Sequence, residues 1–413
     1  MTTRTSTSSQ TLVSDISPFS TMGTSGKEFV NADCRYFVGD RPCRFHKAEM
    51  VQCGNCPYYD PVEKRILVIK LGAMGDVLRT TSILPTLGKR YSRPHITWVT
   101  RRESLDLLHN NPLVDSLMVV EGGDLVRLQV QMFDLVINPE AAKESAALAS
   151  IARGKDKRGF GLSPGGFVFA FNRGAEEIFH LGLFDDMKRK NRKSYERLLC
   201  QLADLPYHRI PPMLHLTGDE IDFGQAFRKR SRIRRNRPVV GINTGGGGRW
   251  VLKRWTIEGF VELAEKLSER LEAQVLLLGG PAEVEINKDI LSRLEGKALD
   301  TGCFNSTGRF GALIGLCDVV VTGDSLALHM ALALEKRVVA LFGPTSAAEV
   351  DLYGMGKKIT AKMDCLCCYR ERCEKSQNCM ESISAETVYR AVEEQIACKG
   401  GVTDEGVHHH SHI

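Results

Sequence analysis

The sequence predicts an α/β chain of two Rossmann-like domains, and three observations carry that prediction. Short apolar runs rich in β-branched residues alternate with helix-length stretches over residues 66–138 and again over 238–342. A glycine-rich turn follows the opening strand of each series, at Gly72 to Gly75 and at Gly245 to Gly248, where parallel sheets meet ligands with helix N-termini. The most basic stretch, FRKRSRIRRNR at 227–237, stands between the two series and reads as the interdomain linker. With 413 residues, 43% hydrophobic and 25% charged, the chain can build two cores.

Taken in order, residues 1–30 are Ser/Thr-rich without apolar periodicity and are expected to be a disordered leader. Residues 31–64 hold Cys34, Cys43, Cys53 and Cys56 with His46 between them, ending in Cys-x-x-Cys around Gly54. Two ligands so close can reach one ion from a tight turn, so the segment suits a structural zinc or iron; the alternative is a reduced, loop-rich cap.

The first domain, 65–226, opens with Ile66 to Ile69, an unbroken apolar run that suits a strand buried on both faces. A helix near 76–90, strands at 95–100, 116–120 and 133–138, and a helix at 103–110 follow. Asp76 stands at the strand-to-helix switch, either as a plain first-turn acid or as a group facing ligand. Glu140 and Lys143 fall on the same sheet edge if the sheet is parallel. Residues 153–193 are rich in Gly, Arg and Lys without a period and read mostly as solvated loops. The basic linker at 227–237 suits either anionic lipid or a solvated helix end.

The second domain, 238–363, repeats the pattern. Strands fall at 238–243, 274–279, 318–322 and 337–342, and helices at 256–270, 283–295, 308–316 and 325–334. A Cys-rich segment and a helix near 384–397 occupy 364–398, and 399–413 is a tail. Cys365, Cys368, Cys373 and Cys379, with Cys367 extra, form a second quartet with tetrahedral-site spacing. Cys200, Cys303, Cys317 and Cys398 stand alone and are expected as buried thiols.

Composition narrows the function classes. A net charge of +5 is too mild to argue for nucleic acid and fits an anionic substrate or membrane surface. Without an 18-residue apolar run or a secretion signal the chain is expected in the cytoplasm, and clustered thiols there point to metal rather than disulfides.

Four motifs add a resemblance over roughly residues 65–395. Gly72-x-x-Gly75-Asp76 with Pro85, Lys253-Arg254-Trp255, Thr322-Gly323-Asp324-Ser325 with His329, and Gly343-Pro344-Thr345 are similar, in that order, to glycosyltransferase family 9, the ADP-heptose:lipopolysaccharide heptosyltransferases. The resemblance implies the GT-B architecture, two facing Rossmann-like domains around a cleft, with the C-terminal helix crossing back to the first. It implies an inverting transfer of a heptose or related sugar from an ADP-activated donor to a lipopolysaccharide-core or similar envelope glycan. Asp76 would be the general base and Lys253 the counter-charge to the donor diphosphate.

Gly75, Thr244, Gly245, Asp324, Ser325 and His329 would complete the donor site, the glycine run and the Ser325 turn offering amides to phosphate. Glu283, or Glu285, would hold the ribose hydroxyls. This chain carries Leu326 where the family usually has glycine. The expected partners are a nucleotide sugar and a lipid-linked glycan, with peripheral contact at the inner face of the inner membrane. No metal is expected in the chemistry. In autotransporter heptosyltransferases a comparable cysteine finger holds iron, which the resemblance extends to the C-terminal quartet. Two rival readings are a transferase of another sugar or to protein, and a metal- or redox-responsive nucleotide-binding protein without turnover.

Overall fold

The structure is a computed structural model that describes residues 30–246, 251–370 and 372–399. The expected leader up to residue 29, Gly247 and Gly248 of the glycine run, and the tail from 400 lie outside the described residues. The chain divides after Pro61. Residues 30–61 carry one helix, α1 (Arg44–Glu49), a 3-10 turn at Cys53–Asn55 and a single bridge between Cys34 and Pro61.

From Val62 onward the chain builds two six-stranded sheets. The first contains β1 (Lys64–Ile69), β2 (Pro94–Thr100), β3 (Ser116–Val119), β4 (Met132–Asn138), β5 (Arg153–Leu162) and β6 (Val168–Ala170), ordered β3-β2-β1-β4-β5-β6. Only the β5–β6 pair is antiparallel. Ile66, Leu67, Val68 and Ile69 have no exposed surface, as a strand covered on both faces requires. Each contributes on the order of 1.5–3 kcal/mol of burial.

The helix expected near 76–90 is two, α2 (Met74–Thr80) and α3 (Leu84–Arg90), joined by a 3-10 turn at Thr81–Ile83. Pro85 has no N–H to continue the helix, so the chain restarts there with proline in the first turn. The helix expected at 103–110 is a 3-10 stretch, Arg102–Leu107. Helices α4 (Gly123–Val130) and α5 (Lys143–Ile151) flank β4, and α6 (Arg173–Leu183), α7 (Asp185–Lys190) and α8 (Tyr195–Leu202) follow β6.

The stretch read as solvated loops is thus largely ordered, beginning with the ten-residue strand β5. Its glycines hid it. Gly159 has φ +91°, and a Cβ there would sit 1.9 Å from the Asn138 carbonyl oxygen, so only glycine lets β5 lie this close to β4.

The chain leaves the first sheet earlier than the basic run suggested. Helix α9 (Gly218–Arg230), opened by a Thr217–Glu220 capping box, packs on the second half of the molecule, and Phe227 to Arg230 form its last turn. Phe227 is buried, and a Cβ on Gly224 would touch Ala312. Three cations closing a helix suit its negative end, which explains a charge run that resembles a linker.

The second sheet holds β7 (Val239–Asn243), β8 (Gln274–Leu278), β9 (Ala298–Asp300), β10 (Val319–Gly323), β11 (Arg337–Phe342) and β12 (Gly356–Thr360), all parallel, in the order β12-β11-β10-β7-β8-β9. Helices α10 (Ile257–Arg270), α11 (Val284–Leu294), α12 (Thr307–Gly315) and α13 (Leu326–Ala333) connect them. The C-terminal helix α14 (Ala385–Lys399) was expected to cross to the first domain. It packs instead on α10 and on β10, β11 and β12 of the second sheet, with Val388, Tyr389 and Val392 buried.

The two sheets are tied by Arg209, which donates from Nε and Nη2 to Asp351 at 2.7 and 2.9 Å. Burial alone would raise the Asp351 carboxyl, but the Arg209 bonds and the Tyr353 amide hold it below the usual range. A depressed carboxyl contributes stability above its unfolded pKa of about 4 that disappears as pH falls through its folded value. Asp351→Asn is therefore expected to lower Tm at pH 7 and to leave it nearly unchanged at pH 2, as thermal unfolding across that range will read.

Candidate active site

Both sheets follow the doubly wound order, so each has a switch point where neighbouring loops diverge. In the first sheet it lies between β1 and β4. Lys70, buried at the end of β1, bonds the Gly72 carbonyl and pairs with Glu140 at 3.5 Å. Glu140 Oε2 also accepts from the Leu71 amide at 2.9 Å. Glu140 therefore braces the turn after β1.

That turn delivers Asp76 into the first helical turn of α2, with Ala73 as N-cap and the carboxylate 44% exposed. Helix α2 packs on α13 of the second domain. A Cβ on Gly75 would lie 3.1 Å from His329 Cδ2 and 3.7 Å from Leu326 Cα, so glycine sets how close the helices come. Gly75→Ala is expected to cost about 1–3 kcal/mol by overpacking, read by urea unfolding.

Beneath Asp76 lies a group that sequence reasoning missed. The Arg79 guanidinium, 7% exposed, sits 3.2 Å from Glu196 Oε1 and 3.8 Å from Asp76 Oδ1. It donates to the Glu349 carbonyl across the domain boundary at 2.5 Å and lies 4.3 Å over the Tyr195 ring. Tyr195 in turn shares a 2.9 Å hydrogen bond with Thr80, whose hydroxyl donates to the Asp76 carbonyl. No periodicity flags such an arginine, because its partners are far away in sequence.

The second switch point lies between β7 and β10, where the Asn243 and Ser325 loops meet. Asn243 Nδ2 lies 3.1, 3.0 and 3.3 Å from the Gly245 carbonyl, Thr322 Oγ1 and Ser325 Oγ, locking the two loops together. Ser325 is the N-cap of α13 and aims that helix's amides into the same space. Lys253 Nζ donates to Asp324 Oδ2 at 2.9 Å and its carbonyl at 3.2 Å. Burial works against the charged Asp324 carboxyl, but Lys253 outweighs it and holds the group below the usual range. Burial, with the charge of Arg79, pushes the His329 imidazole down to about 3, so the ring is neutral at physiological pH.

Thr244 and the two glutamates sort themselves by burial. The Thr244 side chain has no exposed surface and bonds Asn287 Oδ1 at 2.5 Å, so it supports the loop rather than facing a ligand. Glu283 takes the Gly280 amide at 2.9 Å and lies against Gly245, where a Cβ would meet its carboxyl carbon at 3.2 Å. Glu285, the alternative, is exposed on α11.

A cavity of about 460 Å³ opens beside the Lys253 loop, lined by Leu252, Pro344, Arg189 and all four of Cys365, Cys368, Cys373 and Cys379. Cys367 turns away toward Ser346 and Tyr369. The segment touches the first domain, because Arg189 donates to the Cys367 carbonyl at 3.3 Å and Lys188 lies 3.8 Å over the Tyr369 ring. Among the described residues no three His, Cys, Asp or Glu side chains already stand around a metal-sized point. Of the isolated cysteines, Cys200, Cys303 and Cys317 are buried as expected, whereas Cys398 is exposed near the end of α14.

The sequence model of glycosyltransferase family 9 (heptosyltransferase) matches residues 126–380, more than half of the chain. The chain belongs to glycosyltransferase family 9. A lipooligosaccharide heptosyltransferase 2 of Campylobacter jejuni is 24% identical over 210 residues, covering 49% of this family 9 chain and 66% of that relative.

Among solved structures, a family 9 glycosyl transferase of Veillonella parvula superposes with TM-score 0.64 at 21% identity, covering 81% of this chain and 98% of that one. The Escherichia coli ADP-heptose lipopolysaccharide heptosyltransferase II gives TM-score 0.62 at 22% identity, covering 81% and 99%. The architecture is GT-B. The family match begins beyond Asp76 and takes in Lys253, Glu283, Asp324, Ser325 and His329.

Proposed function

We propose that this family 9 chain is an inverting heptosyltransferase that moves a heptose from an ADP-activated donor to a lipopolysaccharide-core or similar envelope glycan. The observation that carries the reading is the packing of α2, which bears Asp76, on α13, which bears His329, with the Asp324–Lys253 pair beside the start of α13. The acceptor sugar hydroxyl gives its proton to Asp76 as its oxygen bonds the anomeric carbon. The bond from that carbon to the diphosphate oxygen breaks, ADP leaves, and the configuration inverts.

Lys253, the amides at Gly245 and those at the start of α13 stabilise the charge that develops on the diphosphate. Glu283, buried beside Gly245, accepts from the ribose hydroxyls. Diphosphate competes with Asp324 for Lys253, so Lys253→Ala is expected to weaken ADP-heptose binding about 10- to 100-fold, the loss typical of a charge-assisted bond. Lys253→Arg should recover part of it in the same calorimetric titration.

The acceptor is a lipid-linked glycan met at the inner face of the inner membrane by peripheral contact. No helix of the described residues is long and apolar enough to cross a membrane. A structural zinc or iron ion held by Cys365, Cys368, Cys373 and Cys379 fits the gathering of four soft donors on one cavity wall. Its place is structural, keeping the Tyr369 loop against Lys188. Incubating the protein with ADP-heptose and a heptose-deficient core acceptor, then reading the product's anomeric configuration by NMR, tests the function. An inverted glycoside supports it, and release of ADP without a glycoside contradicts it.

A further inference from the structure

The segment before Val62 has defined turns and no core. None of its described residues is buried, and every residue of the hydrophobic core clusters lies at Ile66 or beyond. A piece of roughly 30 residues rarely holds a fold by burial alone and usually needs disulfides or a metal. Its cysteines are free thiols.

All four of those thiols border one space. Cys34, Cys43, Cys53 and Cys56 line a cavity of about 30 Å³ together with Tyr36 and Phe45. Each sits in a tight turn. Cys43 caps α1 by accepting from the His46 amide at 3.5 Å, and the Cys53–Asn55 turn closes with the Cys56 amide on the Cys53 carbonyl at 3.4 Å. The Cys34 amide donates to the Asn31 carbonyl at 3.0 Å, while the Asn31 side chain donates to the Cys53 carbonyl at 3.2 Å, joining the first turn to the third.

The surroundings fit a charged centre. Phe45 stacks on Tyr58 with centroids 3.9 Å apart and meets Tyr36 edge-on, forming an apolar wall. The Arg44 guanidinium lies 4.4 Å from the Tyr36 ring, a cation set against the net negative charge of four thiolates around a divalent ion. His46 is engaged elsewhere, with Nδ1 at 2.9 Å from the Val51 carbonyl, and does not line the cavity.

We propose that Cys34, Cys43, Cys53 and Cys56 bind one tetrahedral thiolate-held ion, zinc or iron, which folds residues 31–61 independently of the transferase site. Four thiolates complete the ligand set of a single tetrahedral ion. No three metal-ligating side chains among the described residues already surround a common point, so binding draws the thiols inward.

The test uses the full-length protein, loaded anaerobically with zinc(II) or iron(II), and reads metal content together with site-by-site alkylation by peptide mass spectrometry. Exposed Cys398 should react at once, while Cys34, Cys43, Cys53 and Cys56 stay protected as a set and become reactive together after chelation. Cys53→Ser should lower bound metal by one ion per chain, leaving the C-terminal quartet as protected as before. Metal analysis separates zinc from iron. Alkylation of the four at the rate of Cys398 in the loaded protein overturns the proposal. So does their recovery as disulfides, acid-labile sulfide in the bound metal, or an unchanged metal count in Cys53→Ser. These readings do not depend on glycosyl transfer.

Discussion

Asp76→Asn is expected to lower kcat about 10²- to 10⁴-fold while leaving donor affinity within about twofold, the range removed with a general base. Asparagine keeps the shape of the side chain and loses the ability to take a proton. Stability should change little, because the carboxylate is 44% exposed and Arg79 retains Glu196 at 3.2 Å. Single-turnover kinetics with saturating ADP-heptose will separate the chemical step from binding. A kcat within a few-fold of wild type would place the base elsewhere in the cleft.

Arg79→Met should produce the largest loss of stability, about 3–5 kcal/mol by urea unfolding, as expected when one partner of a buried pair is removed. The methionine fills space but strands the Glu196 carboxylate, which is 3% exposed and whose Oε2 is without a hydrogen-bond partner. It also removes the bond to the Glu349 carbonyl, one of the ties between the domains. Arg79→Met with Glu196→Gln should recover much of the loss, since the stranded charge is gone. A single variant that costs less than about 1 kcal/mol would contradict a stabilising role for the buried Arg79–Glu196 pair.

The architecture was readable wherever strands were buried on both faces. Ile66 to Ile69, Val239 to Ile242 and Val319 to Val321 are uninterrupted apolar runs because parallel strands in the middle of a doubly wound sheet touch no water. Strands away from the sheet's centre gave weaker signals. Residues 153–162 carry four cations and three glycines, and their pairing with β4 depends on the close approach at Gly159, which only the folded backbone reveals. The basic run at 227–237 misled because helix ends and linkers share a taste for charge.

Within the candidate site, Lys253, Asp324 and His329 were visible as motifs at strand ends, and the structure gathers them around α13. Asn243 was given no role from the sequence, since joining β7 to the loop after β10 is a tertiary function. Arg79 was silent for the same reason. Its meaning lies in Glu196 and Glu349, 117 and 270 residues away.

Calorimetric titration of ADP, UDP, GDP and ADP-heptose into wild type and Lys253→Ala decides whether Lys253 anchors a donor site. Wild type is expected to prefer the ADP-linked ligands, with affinity for ADP-heptose reduced about 10- to 100-fold in the variant. No binding of any of the four by folded wild-type protein, or equal binding by both proteins, would contradict a donor site built on Lys253.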